Sequence, residues 1–216
     1  MVEKKIVKVY NDAFKEFGVD DRRSILWTKD KQDMRFELLL GESFKRSNMS
    51  LLDYGCGFGD LNLFLKKHYY NLKYSGCDIN KNFINNAKKI NPENELFLIE
   101  SSKDIKNNYD IILISGTFNV LCLDSHLSMK KYVFEQLLYL FTKTNYMLSV
   151  NFLSHLTDKE YRYDGHFYLN PTDLYDFAVK NITKRVFMDA SSLPYEITFK
   201  FFKNEKVDRD MTIYKR

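Results

Sequence analysis

The stretch Leu51-Leu-Asp-Tyr-Gly-Cys-Gly-Phe-Gly-Asp60 constrains this chain more than any other. Apolar residues run into three glycines at alternate positions, and a helical pattern opens directly after them. A short apolar run stopped by glycine reads as a buried strand. The glycines let the backbone turn sharply and pass close to a ligand with no Cβ in the way. Strand, glycine turn and helix in that order begin an open α/β sheet, which binds ligands beyond the carboxyl ends of its strands.

The chain continues in the same alternation. Strands are predicted over 49–54, 72–79, 96–99, 109–115 and 145–152, separated by helices over 60–69, 81–90 and 128–141. Strands joined through helices of this length imply right-handed crossovers and a mainly parallel sheet covered on both faces. The tail differs: a helix over 173–181, opened by Pro171 and Thr172, precedes two strand-like runs at 185–188 and 195–202 with a turn between them. That pattern predicts a C-terminal antiparallel hairpin, giving seven strands in all. Before the glycine motif, Ile6, Val9, Tyr10, Phe14 and Phe17 recur at helical spacing up to Gly18. A second helix carrying Met34, Leu38 and Leu39 is expected from Asp20 and Asp21, or slightly later, to Gly41. The stretch 154–170 shows no periodicity and is rich in Asp, His and Tyr, and a loop this long inside a compact domain is often functional.

Composition narrows the partners. A formal charge of +4 spread over 216 residues argues against nucleic acid, which calls for a basic stripe or domain. Three cysteines with no CxxC pair argue against a disulfide scaffold or a structural zinc site. With no apolar run long enough for a bilayer and no apolar leader after Met1, no membrane partner is expected and a cytoplasmic setting is the default.

Two carboxylates separate the possible ligands. Dinucleotide folds use GxGxxG beside a pyrophosphate, whereas here Gly55-x-Gly57-x-Gly59 follows Asp53. An acidic strand end repels a pyrophosphate and attracts an ammonium or sulfonium group. Asp78 lies 19 residues after Gly59, where a carboxylate can accept both ribose hydroxyls, and Ile79 beside it could pack on an adenine face. The alternative for Asp78 is to cap the helix that follows. Cys56 and Cys77 sit at neighbouring strand ends as small packing residues rather than nucleophiles.

On these residues the chain resembles class I S-adenosylmethionine-dependent methyltransferases, whose first motif has the form LLDxGCGxG. The resemblance covers 49–152, and SGTFN at 115–119, NFL at 151–153 and the segment around Trp27, Gln32 and Arg35-Phe36 extend it to a subgroup associated with surface-polysaccharide loci. It implies a Rossmann-like, seven-stranded, mainly parallel sheet with a C-terminal antiparallel hairpin, under an N-terminal helical cap. We expect one domain over 1–216: a cap of 1–45 and a core of 49–216 whose loop 154–170 lies over the acceptor. It implies S-adenosylmethionine as cofactor, with Asp53, Gly55, Cys56 and Gly57 at its methionine end and Asp78 and Ile79 at its nucleoside. The family carries an Asp at the end of the third strand, but here the sequence is Phe97-Leu-Ile-Glu-Ser-Ser102. Glu100, Ser101 and Ser102 are therefore the candidates beside the adenine. Arg35 either forks onto the methionine carboxylate or pairs on its helix with Glu37 or Asp33. Trp27 and Tyr10 are either core aromatics or a lid, over cofactor and acceptor respectively.

SGTFN stands where many methyltransferases of planar or amide nitrogens carry NPPY or DPPY, which implies an oxygen or an aliphatic amine on a small metabolite. Ser115 is placed on the cofactor side; Tyr10, Asn119, Asn151, His166 and Tyr168 are placed on the acceptor side. His166 and His126 are the candidate general bases, with Asp164 a further one. No metal is expected, although His155 and His166 stand among Asp158, Glu160 and Asp164, and His68 only closes a helix. The expected activity is methyl transfer to an oxygen of a sugar or nucleotide-linked glycan precursor, by a monomer or homodimer. The alternatives are an RNA or protein methyltransferase and a non-catalytic cofactor-binding module.

Overall fold

The sheet runs in the order β3-β2-β1-β4-β5-β8-β7, with β6 paired to β5 off this path. These strands are β1 (Met49–Tyr54), β2 (Leu72–Asp78), β3 (Glu95–Leu98), β4 (Tyr109–Ile114), β5 (Thr144–Ser154), β6 (Tyr168–Leu169), β7 (Val186–Asp189) and β8 (Glu196–Phe202). The helices are α1 (Val2–Phe17), α2 (Gln32–Leu40), α3 (Asp60–Lys67), α4 (Lys81–Ile90), α5 (His126–Thr142) and α6 (Pro171–Asn181). This computed structural model describes residues 2–19, 21–26, 31–41 and 47–203. Strands β1 to β6 pair in parallel, while β8 runs antiparallel to both β5 and β7.

Period-two burial assigns the two faces. Leu52, Ile112, Ile114, Leu148 and Val150 point into one core with α5 and α6. Leu51, Ile111, Leu113 and Met147 point into the other with α2, α3 and α4. Helix α2 therefore belongs to a core layer: its Phe36, Leu39 and Leu40, three and four residues apart, are buried against the sheet.

Local capping fixes where helices begin. Asn80 caps α4 by accepting from Asn82 N–H at 2.9 Å, the role weighed above for Asp78. Ser125 caps α5 and Asn170 caps α6, whose first residue is Pro171. In the turn between β7 and β8, Asp189 accepts from the backbone N–H groups of Ser191 and Ser192.

The seven expected strands and the C-terminal hairpin are present. An eighth lies inside the stretch read as loop: β6 pairs Tyr168 with Leu153 and Leu169 with Ser154. Two residues are too few for a periodic signal. The second helix starts only at Gln32, after a short 3-10 turn over Arg22–Ile25.

The sheet order reverses between β1 and β4, so the connections leaving these neighbouring strands diverge and open a crevice at their carboxyl ends.

Candidate cofactor and acceptor site

A cavity of about 500 Å³ fills that crevice, inside the range of small-molecule and cofactor sites. Its first wall is the glycine turn after β1. Gly55 and Gly57 have φ of +80° and +55°, the left-handed region that glycine adopts without penalty. They differ in what surrounds them. A Cβ on Gly55 would lie 2.3 Å from Thr117 Oγ1, whereas one on Gly57 would meet only Ile25 Cγ2 at 3.8 Å. Gly55 packs against protein; Gly57 leaves backbone bare toward the cavity.

Asp53 and Asp78 are 3% and 8% exposed and both line the cavity. Asp53 accepts from the Tyr74 hydroxyl at 3.0 Å. Asp78 accepts from Gly57 N–H at 3.0 Å through one oxygen and from Asn80 N–H at 2.8 Å through the other. Burial pushes the Asp53 carboxyl up to about 7, with Asp78 and Asp60 adding negative charge nearby and the Tyr74 hydrogen bond opposing. Burial also raises Asp78 to about 6, against the backbone N–H groups that favour its charged form. Each Asp78 oxygen accepts a backbone hydrogen bond and retains lone-pair capacity, as a bidentate grip on a diol requires. Cys56, in the same wall, is buried with its thiol pushed well up by desolvation.

Next to Asp78 the lining turns apolar, through Ile79, Phe83 and Ile99. Ser101 and Ser102 are not in it. Asp104 accepts from Glu100 N–H at 2.7 Å and Ser101 N–H at 3.1 Å, turning this segment into a short 3-10 turn with Ser102 buried beneath. At the end of β3, Ile99 lines the cavity, while Ser101 caps the 3-10 turn and Ser102 is buried in its first position.

The opposite wall is the connection from β4 to α5. Thr117 donates to the Tyr54 carbonyl at 3.0 Å, and Gly116 N–H donates to Asn151 Oδ1 at 2.8 Å. Asn119 Oδ1 accepts from Leu153 N–H at 3.1 Å, which fixes the amide so that Nδ2 is a donor. That Nδ2 and Ser115 Oγ are buried with no hydrogen-bond partner, and both residues line the cavity. Val120 bridges His166, and Phe167 N–H donates to the Asn119 carbonyl at 2.8 Å, so the loop after β5 is bound to this wall. His166 Nδ1 lies 3.1 Å from the Asp164 carbonyl. A carbonyl only accepts, so this contact assigns the proton to Nδ1 and leaves Nε2 an acceptor. Tyr168 accepts from Tyr163 N–H at 2.9 Å, and the Tyr161 and Tyr195 rings lie 5.5 Å apart in the same lining.

Three sequence-based placements change. Arg35 lines the cavity, but its Nε lies 2.9 and 2.8 Å from the two Glu196 oxygens, so its partner is Glu196 of β8 and not Glu37 or Asp33. Asp33 pairs instead with Lys67. Asn151 does not line the cavity: it bridges Gly116 N–H and Glu196 Oε2, the latter at 3.0 Å. His126 is exposed on the first turn of α5, its ring 6.0 Å from Phe167 and outside the lining. Tyr10 does line the cavity, edge-on to Phe83, with its hydroxyl pushed up by burial and then by Asp78. Trp27 lies outside the described residues. Sequence reasoning missed Tyr74, Ile99 and Glu196. The signal for Glu196 was the one acid in a mainly apolar strand, at its head.

Among the described residues no cluster of His, Cys, Asp and Glu could hold a metal, and no helix is long and apolar enough to cross a membrane.

An acidic, glycine-lined crevice stands at the switch point of this sheet, where open α/β folds bind their ligands. Residues 45–191 match the family model described as "Methyltransferase domain". The chain belongs to that family and is an S-adenosylmethionine-dependent methyltransferase. A search by sequence among curated proteins gives no match. Solved structures share the fold. The plantazolicin methyltransferase BpumL, in complex with a triazolic desmethylPZN analog and SAH, is 17% identical with a TM-score of 0.66, covering 94% of this chain and 97% of its own. A SAM-dependent methyltransferase from Archaeoglobus fulgidus is 15% identical with a TM-score of 0.61, covering 84% and 97%. An O-methyltransferase family protein from Burkholderia thailandensis is 10% identical with a TM-score of 0.64, covering 82% of this chain and 57% of its own.

Proposed function

We propose that the chain methylates a hydroxyl oxygen of a small polar acceptor held between His166 and Asn119. The observation that carries this reading is the His166 tautomer: with Nδ1 donating to the Asp164 carbonyl, Nε2 is an acceptor able to take the hydroxyl proton. Asn119 Nδ2, a buried donor without an acceptor, suits the other lone pair of the same oxygen. Bound, the cofactor supplies a methyl group on positively charged sulfur, already a strong electrophile. The protein's task is then to align, dehydrate and deprotonate the acceptor.

In this reading Asp78 receives the ribose hydroxyls, Ile79 and Ile99 flank the adenine, and Asp53 faces the methionine ammonium. Gly55, Cys56 and Gly57 form the floor, and Ser115 faces the methionine end from β4. Arg35 acts on the methionine carboxylate as a charge in the wall, since its forked contact belongs to Glu196. The chain acts as one catalytic unit, with the segment 154–170 on the acceptor side. Its free Cys56, Cys77 and Cys122 suit a reducing, cytoplasmic setting.

For the acceptor we favour a sugar or nucleotide-linked glycan precursor. The support is the resemblance carried by SGTFN and NFL, together with the Tyr161, Tyr195 and Tyr168 rings, against which the C–H face of a sugar can lie. A second reading, an amine on a peptide-like acceptor, is favoured by Glu196 in the same wall and by the likeness to the plantazolicin methyltransferase. Tritium transfer from labelled S-adenosylmethionine to separate pools of nucleotide sugars and of short peptides distinguishes them. Label in the sugar pool, lost in His166→Ala, supports the first; label in the peptide pool alone overturns it.

A further inference from the structure

Asp53 and Asp78 end neighbouring strands. The β1–β2 register sets Asp53 opposite Gly76, so Asp78 lies two residues beyond that partner on the same face of the sheet, and both carboxylates line one cavity. Their hydrogen-bond donors are neutral: the Tyr74 hydroxyl on Asp53, and Gly57 and Asn80 N–H on Asp78. The groups around them add little positive charge. Asp60 faces them from the first turn of α3, bonded to Gln32 of α2; Tyr10 faces them from α1 and Cys56 from the glycine turn. Across the cavity stand Arg35, engaged by Glu196 of β8, an exposed Lys31, and His166 at the acceptor end. Among the described residues no cation figures in the charges that act most on either aspartate.

A wall so arranged is short of positive charge, and the two ligands of a methyl-transfer cycle differ by one. The cofactor carries an ammonium and a sulfonium group; the spent product keeps the ammonium and a neutral thioether. We infer that the Asp53–Asp78 pair tells cofactor from spent product by charge, taking up the cofactor with release of more protons and preferring it more strongly as pH rises. The inference rests on the reading of this cavity as the cofactor site.

The balance is simple. Burial raises both carboxyls, so between about pH 5.5 and 7 the pair holds proton that an ordinary pair of aspartates has already lost. An arriving cation favours the ionised pair, and the proton leaves to the buffer. The second positive charge of the cofactor drives this further than the single charge of the product does. The protein thereby sheds its product more readily than its substrate by electrostatics alone.

Calorimetry on the full chain tests this with S-adenosylmethionine, S-adenosylhomocysteine and sinefungin, which carries an amine in place of the methylated sulfur. Titrations run at pH 5.5, 6.2 and 7.0, below the titration of an ordinary α-amino group, in buffers of contrasting ionisation enthalpy that report the protons released. The expected result is a cofactor-to-product affinity ratio that rises about three- to ten-fold across this window, with more protons released by the cofactor and by sinefungin than by the product. Asp53→Asn, which keeps an acceptor for Tyr74, should flatten the ratio, while His166→Asn should leave its rise intact. The wild-type proton count decides the matter even if Asp53→Asn does not fold. Equal proton release by cofactor and product, or a ratio constant with pH, overturns the inference while leaving the site reading standing. A rise that disappears in His166→Asn reassigns the effect and overturns it too. Failure of all three ligands to bind would instead remove the reading of the cavity as a cofactor site.

Discussion

Arg35 and Glu196, 161 residues apart in sequence, meet as a forked ion pair with side chains 7% and 8% exposed. The pair ties α2 to β8. Through Asn151, which donates to Glu196 and accepts from Gly116 N–H, it also holds the connection that carries Ser115, Thr117 and Asn119. Glu196→Gln removes the carboxylate onto which the buried guanidinium is forked and should cost about 3–5 kcal/mol of stability. Arg35→Met with Glu196→Leu removes both charges and should recover a large part of that loss. Urea unfolding of the two variants checks this; a single variant within 1 kcal/mol of the parent would show that the pair is not a structural tie.

The acidic wall sets how the ligand-free protein responds to pH. A carboxyl whose folded value lies above its unfolded value stabilises the fold fully below the unfolded value, and that contribution is lost as pH rises through the folded one. Asp53 moves from an ordinary 3.8 to about 7, so stability should fall between pH 4 and 7 or slightly above. The size is at most about 4 kcal/mol, with Asp78 acting in the same direction. Asp21, Glu93 and Asp104, held low by their hydrogen bonds, act in the opposite sense, but their contribution is complete once pH has passed the ordinary carboxyl range, so the fall stands clear above about pH 5.5. Denaturation midpoints at pH 5, 6, 7 and 8 should decrease for the parent and flatten for Asp53→Asn. A midpoint that climbs with pH would contradict the buried, cation-poor setting of Asp53.

The parts of the site that lie close together in sequence were legible from it. A strand, three alternate glycines and Asp53 form one continuous signal, and Asp78 follows one βα unit later at the end of the adjacent strand. Relationships fixed by distant pairing were not. Glu196 reaches the cavity because β8 inserts beside β5, and only that pairing makes Asn151 a bridge instead of a cavity-lining group. Ser101 and Ser102 occupy the family's adenine-side position, yet Asp104 three residues after Ser101 folds the segment into a turn of its own. His126 follows β4 at a plausible distance, but the Ser125 cap starts α5 there and leaves the ring outside the cavity. The bounds of α2 follow from burial of Leu39 and Leu40, which a two-helix cap pattern does not foretell.

The two glycines make a paired test of backbone packing against ligand approach. Gly55→Ala drives its Cβ into Thr117 at a left-handed φ and should cost stability, on the order of 2 kcal/mol, because Thr117 is pinned to the Tyr54 carbonyl. Gly57→Ala meets only Ile25 at contact distance, so it carries backbone strain of about 1 kcal/mol and little more. Its added methyl faces the cavity, so affinity for S-adenosylhomocysteine should drop at least ten-fold while the melting temperature moves little. Thermal melts beside calorimetry separate the two. Equal losses of stability with no loss of affinity would take Gly57 out of the cofactor floor.

His166 and His126 divide the catalytic question between them. His166 has Nδ1 engaged by the Asp164 carbonyl and lines the cavity, whereas His126 is exposed at the start of α5. With a hydroxyl acceptor, His166→Ala should lower kcat by about 10²–10⁴, the usual worth of a general base. Cofactor affinity should stay within about two-fold, because a general base contributes to the transition state and not to cofactor binding. His126→Ala should leave kcat within about two-fold, as expected for a surface change remote from the cavity. Steady-state rates with the acceptor found by tritium transfer settle the division. A His166→Ala enzyme that keeps full kcat would point to an acceptor that loses no proton near attack, and with it to the amine reading.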